Sequence, residues 1–237
     1  REEIYRDLIV KAGDNYNQIN SYIKVAKSLK KSKKVLKIIE QLAHVKTHLE
    51  AILAQTIFRI IDHKVVKSEE KVVSIFEEHT DVIVKSRREV EFGHKIFLTT
   101  GKSNLVLDCQ IEQGNPSDAI KFMDLVNAQN KLYERFPRQI SADGGFSSKD
   151  NVLNAKKSGV KDVCFSKRCG LKILEIVKSS YVYNKLKNFR AGIESNISAL
   201  KRGFGLDRAT WKGLSGYKSY IWSALVSYNL TILSNKV

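Results

Sequence analysis

The hydrophobic pattern of this chain changes between residues 62 and 70, and this change restricts its folds more than any other feature. Before it, apolar residues recur in alternating steps of three and four, which predicts one long helix with a heptad seam. These residues are Val35, Ile38, Leu42, Val45, Leu49 and Ile52. The basic stretch KSLKKSKK (27–34) separates them from a shorter upstream stripe. We therefore expect residues 1–62 to form a helical hairpin whose seam packs within the chain, with dimerisation or a coiled-coil-like role as the alternative.

After residue 70 the chain alternates between short stretches rich in β-branched residues and longer helical patterns, which predicts a mixed α/β domain. The predicted strands include TDVIVKS (80–86), HKIFLTT (94–100), NLVLDCQIE (104–112), the stretch around Ile140 and Ala142, and VKDVCFSK (160–167). The predicted helices cover residues 115–136, 148–159, 179–206 and 212–234. We expect residues 63–237 to form one α/β domain with a mixed sheet flanked by helices.

The charge balance indicates a polyanionic partner. The chain has 41 Lys and Arg against 25 Asp and Glu, a net charge of +16 and a pI near 9.7. Nucleic acid is the first expectation for so basic a protein. The sequence has no apolar run of about 18 residues, so no membrane partner is expected.

The cysteines and histidines are weak indicators of a site. Cys109, Cys164 and Cys169 are odd in number and form no CxxC pair, which favours reduced thiols in a cytoplasmic protein. His44 and His48 are four residues apart on a predicted helix, as metal-binding pairs are. Since the sequence offers no third ligand near them, we expect a solvated helix face instead.

A short strand in RQISADGGFSSKDN (138–151) ends on Asp143 and is followed by two glycines. Ser147, three residues before Asp150, has the spacing of a helix N-cap with a capping-box acid. Asp143 therefore stands where a strand ends and the chain turns towards a helix, and ligands of α/β sheets bind at that edge. The alternative is a purely local role, because Asp-Gly is common in turns.

The predicted helix 179–206 carries a polar stripe. Arg190, Glu194 and Lys201 fall within about 40° of one another around its axis, and Lys187 and Tyr183 extend the stripe. A solvated, salt-bridged helix face is the alternative interpretation.

Together, these segments resemble the DDE-type transposases of bacterial insertion sequences. The second acid of that family ends a strand in a context like SADGGFSSKDN, which matches Asp143. Its third acid lies in a helical pattern Tyr-x2-Arg-x3-Glu-x6-Lys, which matches Arg190, Glu194 and Lys201, whereas Lys187 replaces the tyrosine. GHKIFLTT, GNPSDA and FGLDRATWKGL also resemble family segments, so the resemblance runs from about residue 64 to the C-terminus.

The resemblance implies an RNase H-like catalytic domain that cleaves and joins DNA strands. Asp143 and Glu194 would be its catalytic metal ligands, binding Mg²⁺ or alternatively Mn²⁺ through hard oxygen atoms. The partner would be double-stranded DNA, at transposon ends and at the target. Six cations are the expected phosphate contacts: Lys187, Arg190, Lys201, Arg202, Lys167 and Arg168.

The family places its first catalytic aspartate on the first strand of the domain, ahead of the helical hairpin. We therefore expect that residue and that strand upstream of Arg1, because Asp81, Asp108 and Asp118 fall on what look like later segments. The chain alone is then expected to be catalytically silent. A DNA-binding remnant that no longer catalyses and a nuclease of RNase H-like fold are the competing hypotheses.

Overall fold

The computed structural model describes residues 2–29, 32–67, 70–84, 90–167 and 169–236. Its contacts divide the chain into two compact units, Arg1–Gly93 and His94–Val237. The domain boundary between residues 62 and 63 stays a prediction.

The first unit begins with the predicted helical hairpin. Helix α1 (Glu2–Ser28) packs against α2 (Lys33–Thr56), which runs on into one π-helical turn (Ile57–Ile61). The side chain of Ser32 caps α2 by accepting a hydrogen bond from the amide of Val35. The heptad residues of α2 are half-buried, except for Ile38, which is 50% exposed.

The rest of the first unit is tied to α2 by a side-chain amide. Gln55 Nε2 donates to the carbonyl oxygen of Val72 at 2.6 Å, and the Val72 amide donates to Gln55 Oε1 at 3.1 Å. An antiparallel pair follows, formed by β1 (Asp81–Val84) and β2 (Val90–Gly93). The predicted strand 80–86 is thus present up to Val84, and its last two residues lie outside the described part.

The second unit opens with the predicted hairpin. Strands β3 (Lys95–Thr100) and β4 (Val106–Glu112) pair antiparallel and are joined by a turn in which Asn104 adopts a φ of 64°. Asn is among the few residues that tolerate this left-handed conformation. Helix α3 (Asp118–Tyr133) follows.

A parallel strand pair forms the part of the fold on which the site rests. Strand β5 (Gln139–Ala142) pairs with β6 (Asp162–Phe165), and α4 (Lys149–Lys157) connects them. The N-cap of α4 is Ser148 and not Ser147 as expected from the sequence, since Ser148 accepts the Asn151 amide at 3.0 Å. The hydroxyl of Ser147 instead donates to the carbonyl oxygen of Lys167 at 2.7 Å.

The predicted mixed α/β class is confirmed, but the described strands do not form the single mixed sheet expected from the sequence. They pair in twos, as β1–β2, β3–β4 and β5–β6. Within the second unit the hairpin and the parallel pair meet through side chains. The ring centroid of Phe97 in β3 lies 5.8 Å from that of Phe146, which follows β5.

Three helices complete the second unit: α5 (Ile173–Ile176), α6 (Ser180–Gly203) and α7 (Gly213–Ser234). Helix α6 takes part in two hydrophobic cores. Val182 and Leu186 pack with β6, α3 and α4, whereas Leu200 packs with β4 and α7. Within the described residues, no helix has the length and apolar character needed to cross a membrane.

Candidate active site

Asp143 lies at the carboxyl end of β5, as the sequence predicts. Directly after it, Gly144–Phe146 form a 3₁₀ turn that passes close to the end of β6. A Cβ atom on Gly144 would lie 2.7 Å from Ser166 Oγ and 3.3 Å from the Lys167 side chain, so this approach needs a glycine. Ser166 Oγ donates a hydrogen bond to Asp143 Oδ1 at 3.3 Å.

Arg190 joins Asp143 to Glu194. Its Nη1 lies 3.2 Å from Asp143 Oδ1 and 3.1 Å from Glu194 Oε1. The two carboxylate oxygens are thus no farther apart than these two distances combined. The structure brings these three residues together, whereas their catalytic and binding roles stay predictions.

Helix α6 is fixed against β5 and β6 by its N-terminal half. Ser179 caps the helix by accepting the Val182 amide, and Val182 and Leu186 are buried. Ser141 of β5 donates from its hydroxyl to the Leu186 carbonyl oxygen at 2.9 Å. This contact lies one helical turn before Arg190 and so holds Arg190 and Glu194 beside the end of β5.

The two carboxylates are far more exposed to solvent than the arginine side chain that joins them. The side chains of Asp143 and Glu194 are 68% and 69% exposed, against 23% for Arg190. The buried Nε of Arg190 has no hydrogen-bond partner among the described residues. Two accessible carboxylates that converge on one cation form an oxygen donor set suited to a hard divalent ion.

The other predicted phosphate contacts differ in their exposure and in whether an acid pairs with them. Lys187, Lys201 and Arg202 are exposed on α6, and Lys201 Nζ lies 3.8 Å from Asp207 Oδ1. Lys167 is exposed directly after β6, and Arg168 lies outside the described residues. Tyr183 does not extend the polar stripe, because it packs against the core beneath β6.

Sequence reasoning missed two contacts of the turn that begins at Asp143, one made by Ser166 and one by Asp118. Ser166 follows β6 as Asp143 follows β5, so the rule that parallel strands end at one edge would have located it. The Asp118 carboxylate occupies the space where Gly145 would carry a Cβ, which gives the second glycine its reason. Asp118 Oδ1 is paired with Lys95 Nζ at 2.6 Å.

The expectation that His44 and His48 have no third ligand nearby is wrong, whereas the expected solvated helix face holds for His44, which is 58% exposed, more than for His48, which is 18% exposed. Within the described residues, the one group of three His, Cys, Asp or Glu side chains with ligand atoms close enough for a metal is His44, His48 and Glu78. The sequence could not show this, because Glu78 comes thirty residues after His48. This group lies in the first unit, whereas Asp143 and Glu194 lie in the second.

The buried thiols lack the features of reactive groups. Burial raises the pKa of Cys109 to about 12 and also raises the pKa of Cys164. Both therefore stay protonated near neutral pH, and a protonated thiol is a poor nucleophile.

Comparison with known families places this geometry in context. A family model described as Transposase DDE domain matches residues 54–230, well over half of the chain. Its range contains Asp143, Arg190 and Glu194. No curated protein and no solved structure matches the chain significantly.

Proposed function

Because the chain belongs to the family of transposase DDE domains, we propose that it is the catalytic part of an insertion-sequence transposase that cleaves and joins DNA strands at transposon ends. The observation that carries this proposal is the approach of Asp143 and Glu194 to one Arg190 nitrogen at the carboxyl end of β5. The strand end and the helix that supply the acids are those that the family pattern requires.

DDE transposase domains use divalent metal ions. We propose that Asp143 and Glu194 hold Mg²⁺, or Mn²⁺ in its place, because both carboxylates are accessible and offer hard oxygen atoms. When bound, two such ions supply activation of the attacking oxygen and stabilisation of the leaving oxygen in phosphoryl transfer. Ser166, as a donor to Asp143 Oδ1, holds that carboxylate in place beside Arg190.

The family pattern includes one more acid, the first of its three, on the first strand of an RNase H-like sheet. In our proposal that strand joins the β3–β4 hairpin to the β5–β6 pair, which already meet through Phe97 and Phe146. A protein with Asp143 and Glu194 alone is expected to be catalytically silent, since a site with one ligand fewer misplaces the reacting groups.

The basic residues around the acids are proposed to bind the DNA backbone. The guanidinium of Arg190 matches phosphate in a fork geometry, and Lys187, Lys201, Arg202, Lys167 and Arg168 add charge that does not depend on base sequence. The proposed substrate is therefore double-stranded DNA, bound in the cytoplasm. A homodimer would supply two such sites.

The catalytic assignment is tested in a transposase that carries this domain together with the family's first catalytic aspartate. Asp143→Asn and Glu194→Gln keep side-chain size and remove the charge, so strand cleavage and strand joining should both be lost. Asp150→Asn, an exposed acid on α4, is the matched control and should retain activity. Activity that survives both site substitutions would refute the assignment, and cleavage without joining would identify a nuclease.

The DNA-binding part is tested separately by the salt dependence of duplex affinity. Each phosphate contact contributes about −0.9 to the log–log slope. Lys201→Ala should weaken binding to all sequences alike and flatten the slope by about one contact, whereas Lys131→Ala on the exposed side of α3 should not. An unchanged slope in Lys201→Ala would limit that residue to a structural role.

A further inference from the structure

A second group of ligand atoms lies in the first unit, outside the proposed catalytic site. His44 Nε2 is 2.7 Å from Glu78 Oε1, and His48 Nε2 is 2.7 Å from Glu78 Oε2. The three ligand atoms lie within 4.8 Å of one another. One carboxylate thus faces two imidazole nitrogens, each through a different oxygen.

The hydrogen bonding of His48 leaves its Nε2 available for a metal. His48 Nδ1 lies 2.9 Å from the carbonyl oxygen of His44. Because a carbonyl oxygen only accepts, Nδ1 carries the proton and Nε2 of the neutral ring has a free lone pair. A backbone carbonyl in this position is the usual partner that orients a metal-binding histidine.

The contact between His48 Nε2 and the carboxylate requires a positive charge, because Nδ1 already carries the one proton of the neutral His48 ring, whereas a neutral His44 can donate from its Nε2 to Glu78 Oε1. A neutral Nε2 with a lone pair and a carboxylate oxygen repel each other at 2.7 Å, so either a proton or a metal ion must lie between them. The His44 and His48 ring centroids lie 4.6 Å apart, and both rings contact the same carboxylate through Nε2.

We propose that His44, His48 and Glu78 form a binding site for a divalent transition metal ion, with Zn²⁺ as its first candidate. Two imidazoles and one carboxylate suit zinc, and the ligand atoms of a tetrahedral site lie about 3.3 Å apart. The two contacts of 2.7 Å are shorter than that spacing, so Glu78 would move outward to admit the ion. The fourth position would remain open to water.

This site is independent of the chemistry proposed for Asp143 and Glu194. His44 and His48 precede residue 54, where the family match begins, and Glu78 lies within the matched range but in the first unit, whereas Asp143 and Glu194 lie in the second. Nitrogen ligands also select against Mg²⁺, which prefers oxygen. The ion would instead join α2 to the segment before β1. The hydrogen bonds between Gln55 and Val72 already hold these two segments together, and the ion would stabilise the same contact.

The proposal is tested with Zn²⁺ alone, by competition with a chromophoric chelator on the full chain after metal removal. The wild-type protein is expected to bind one equivalent. His48→Ala and Glu78→Gln should each lose at least about tenfold in affinity, since changes even outside the ligand shell cost that much. His63→Asn, an exposed histidine of the same unit, should bind like the wild type.

Three further measurements check the interpretation of these affinities. Circular dichroism of each variant checks that α1 and α2 remain folded, and Co²⁺ in place of Zn²⁺ should give the visible absorption of a tetrahedral site. Asp143→Asn should leave Zn²⁺ affinity unchanged, which separates this site from the catalytic one. Absence of stoichiometric Zn²⁺ binding, or full affinity in His48→Ala or Glu78→Gln, would overturn the proposal.

Discussion

Replacing Arg190 by Gln is expected to strengthen divalent metal binding by Asp143 and Glu194, although it removes a residue of the proposed site. In the structure, Arg190 Nη1 lies between the two carboxylates, in the place where a shared cation would be held. A metal ion must therefore displace the guanidinium from both acids. The substitution removes that competition and keeps a polar side chain.

The magnitude follows from the two ion pairs. Both carboxylates are more than two-thirds exposed, so solvent screens the pairs. The Arg190–Glu194 pair, four residues apart on one helix, is worth about 0.3–0.5 kcal/mol, and the Arg190–Asp143 pair about 0.2–1 kcal/mol. Their loss corresponds to about 1 kcal/mol, or about a fivefold gain in metal affinity. The removal of a neighbouring positive charge acts in the same direction.

Mn²⁺ binding followed by electron paramagnetic resonance measures this effect directly, without DNA and without turnover. Lys185→Gln is the matched control, because it removes one positive charge from the same helix about 140° away from Arg190. The double variant Asp143→Asn, Glu194→Gln should lose the site. Mn²⁺ affinity in Arg190→Gln that is equal to or weaker than wild type would show that Arg190 supports the carboxylates rather than competing for them.

Three other predictions concern the stability and reactivity of the second unit. Leu200→Ala should lower the free energy of unfolding by about 2–5 kcal/mol in urea titrations, because Leu200 is fully buried. Leu174 is 72% exposed, so Leu174→Ala should change that free energy by less than about 0.5 kcal/mol. Equal effects of the two substitutions would contradict the packing described. Iodoacetamide at pH 8 should modify Cys169 before the buried Cys109, as mass spectrometry of digests would show. The free energy of unfolding should fall as pH rises from 9.0 towards about 12, because burial raises the pKa of Cys109 and the folded protein holds this proton more tightly than the unfolded chain. Rapid labelling of Cys109 in the folded protein would refute its burial.

Local patterns predicted most elements of the fold, but they missed the short β2 and α5 and did not show how the strands assemble. The heptad steps of α2, the glycine-containing link before β4 and the polar stripe of α6 each depend on neighbouring residues, so the sequence located them. The capping serine of α4 was misplaced by one residue, since Ser147 and Ser148 are chemically identical. Their difference arises only because the Lys167 carbonyl oxygen approaches Ser147.

The candidate sites likewise contain residues that local sequence patterns predicted and residues that they could not predict. Asp143, Arg190 and Glu194 were predicted because each occupies a recognisable local position, at a strand end or at helical spacing. Ser166 and Asp118 approach Asp143 and its glycines through distant parts of the chain. Glu78 reaches His44 and His48 in the same manner, so no spacing rule could have paired them.

Because α6 contributes buried residues to two hydrophobic cores, the number of residues between its two buried segments is fixed. Leu186 is anchored in one core and Leu200 in the other, and Arg190 and Glu194 lie in the span that separates them. Each residue added to or removed from this span would rotate Leu200 about 100° relative to Leu186 and take it out of its core. Insertions and deletions are therefore excluded from the helix that carries Glu194, and variation in this stretch is confined to substitution.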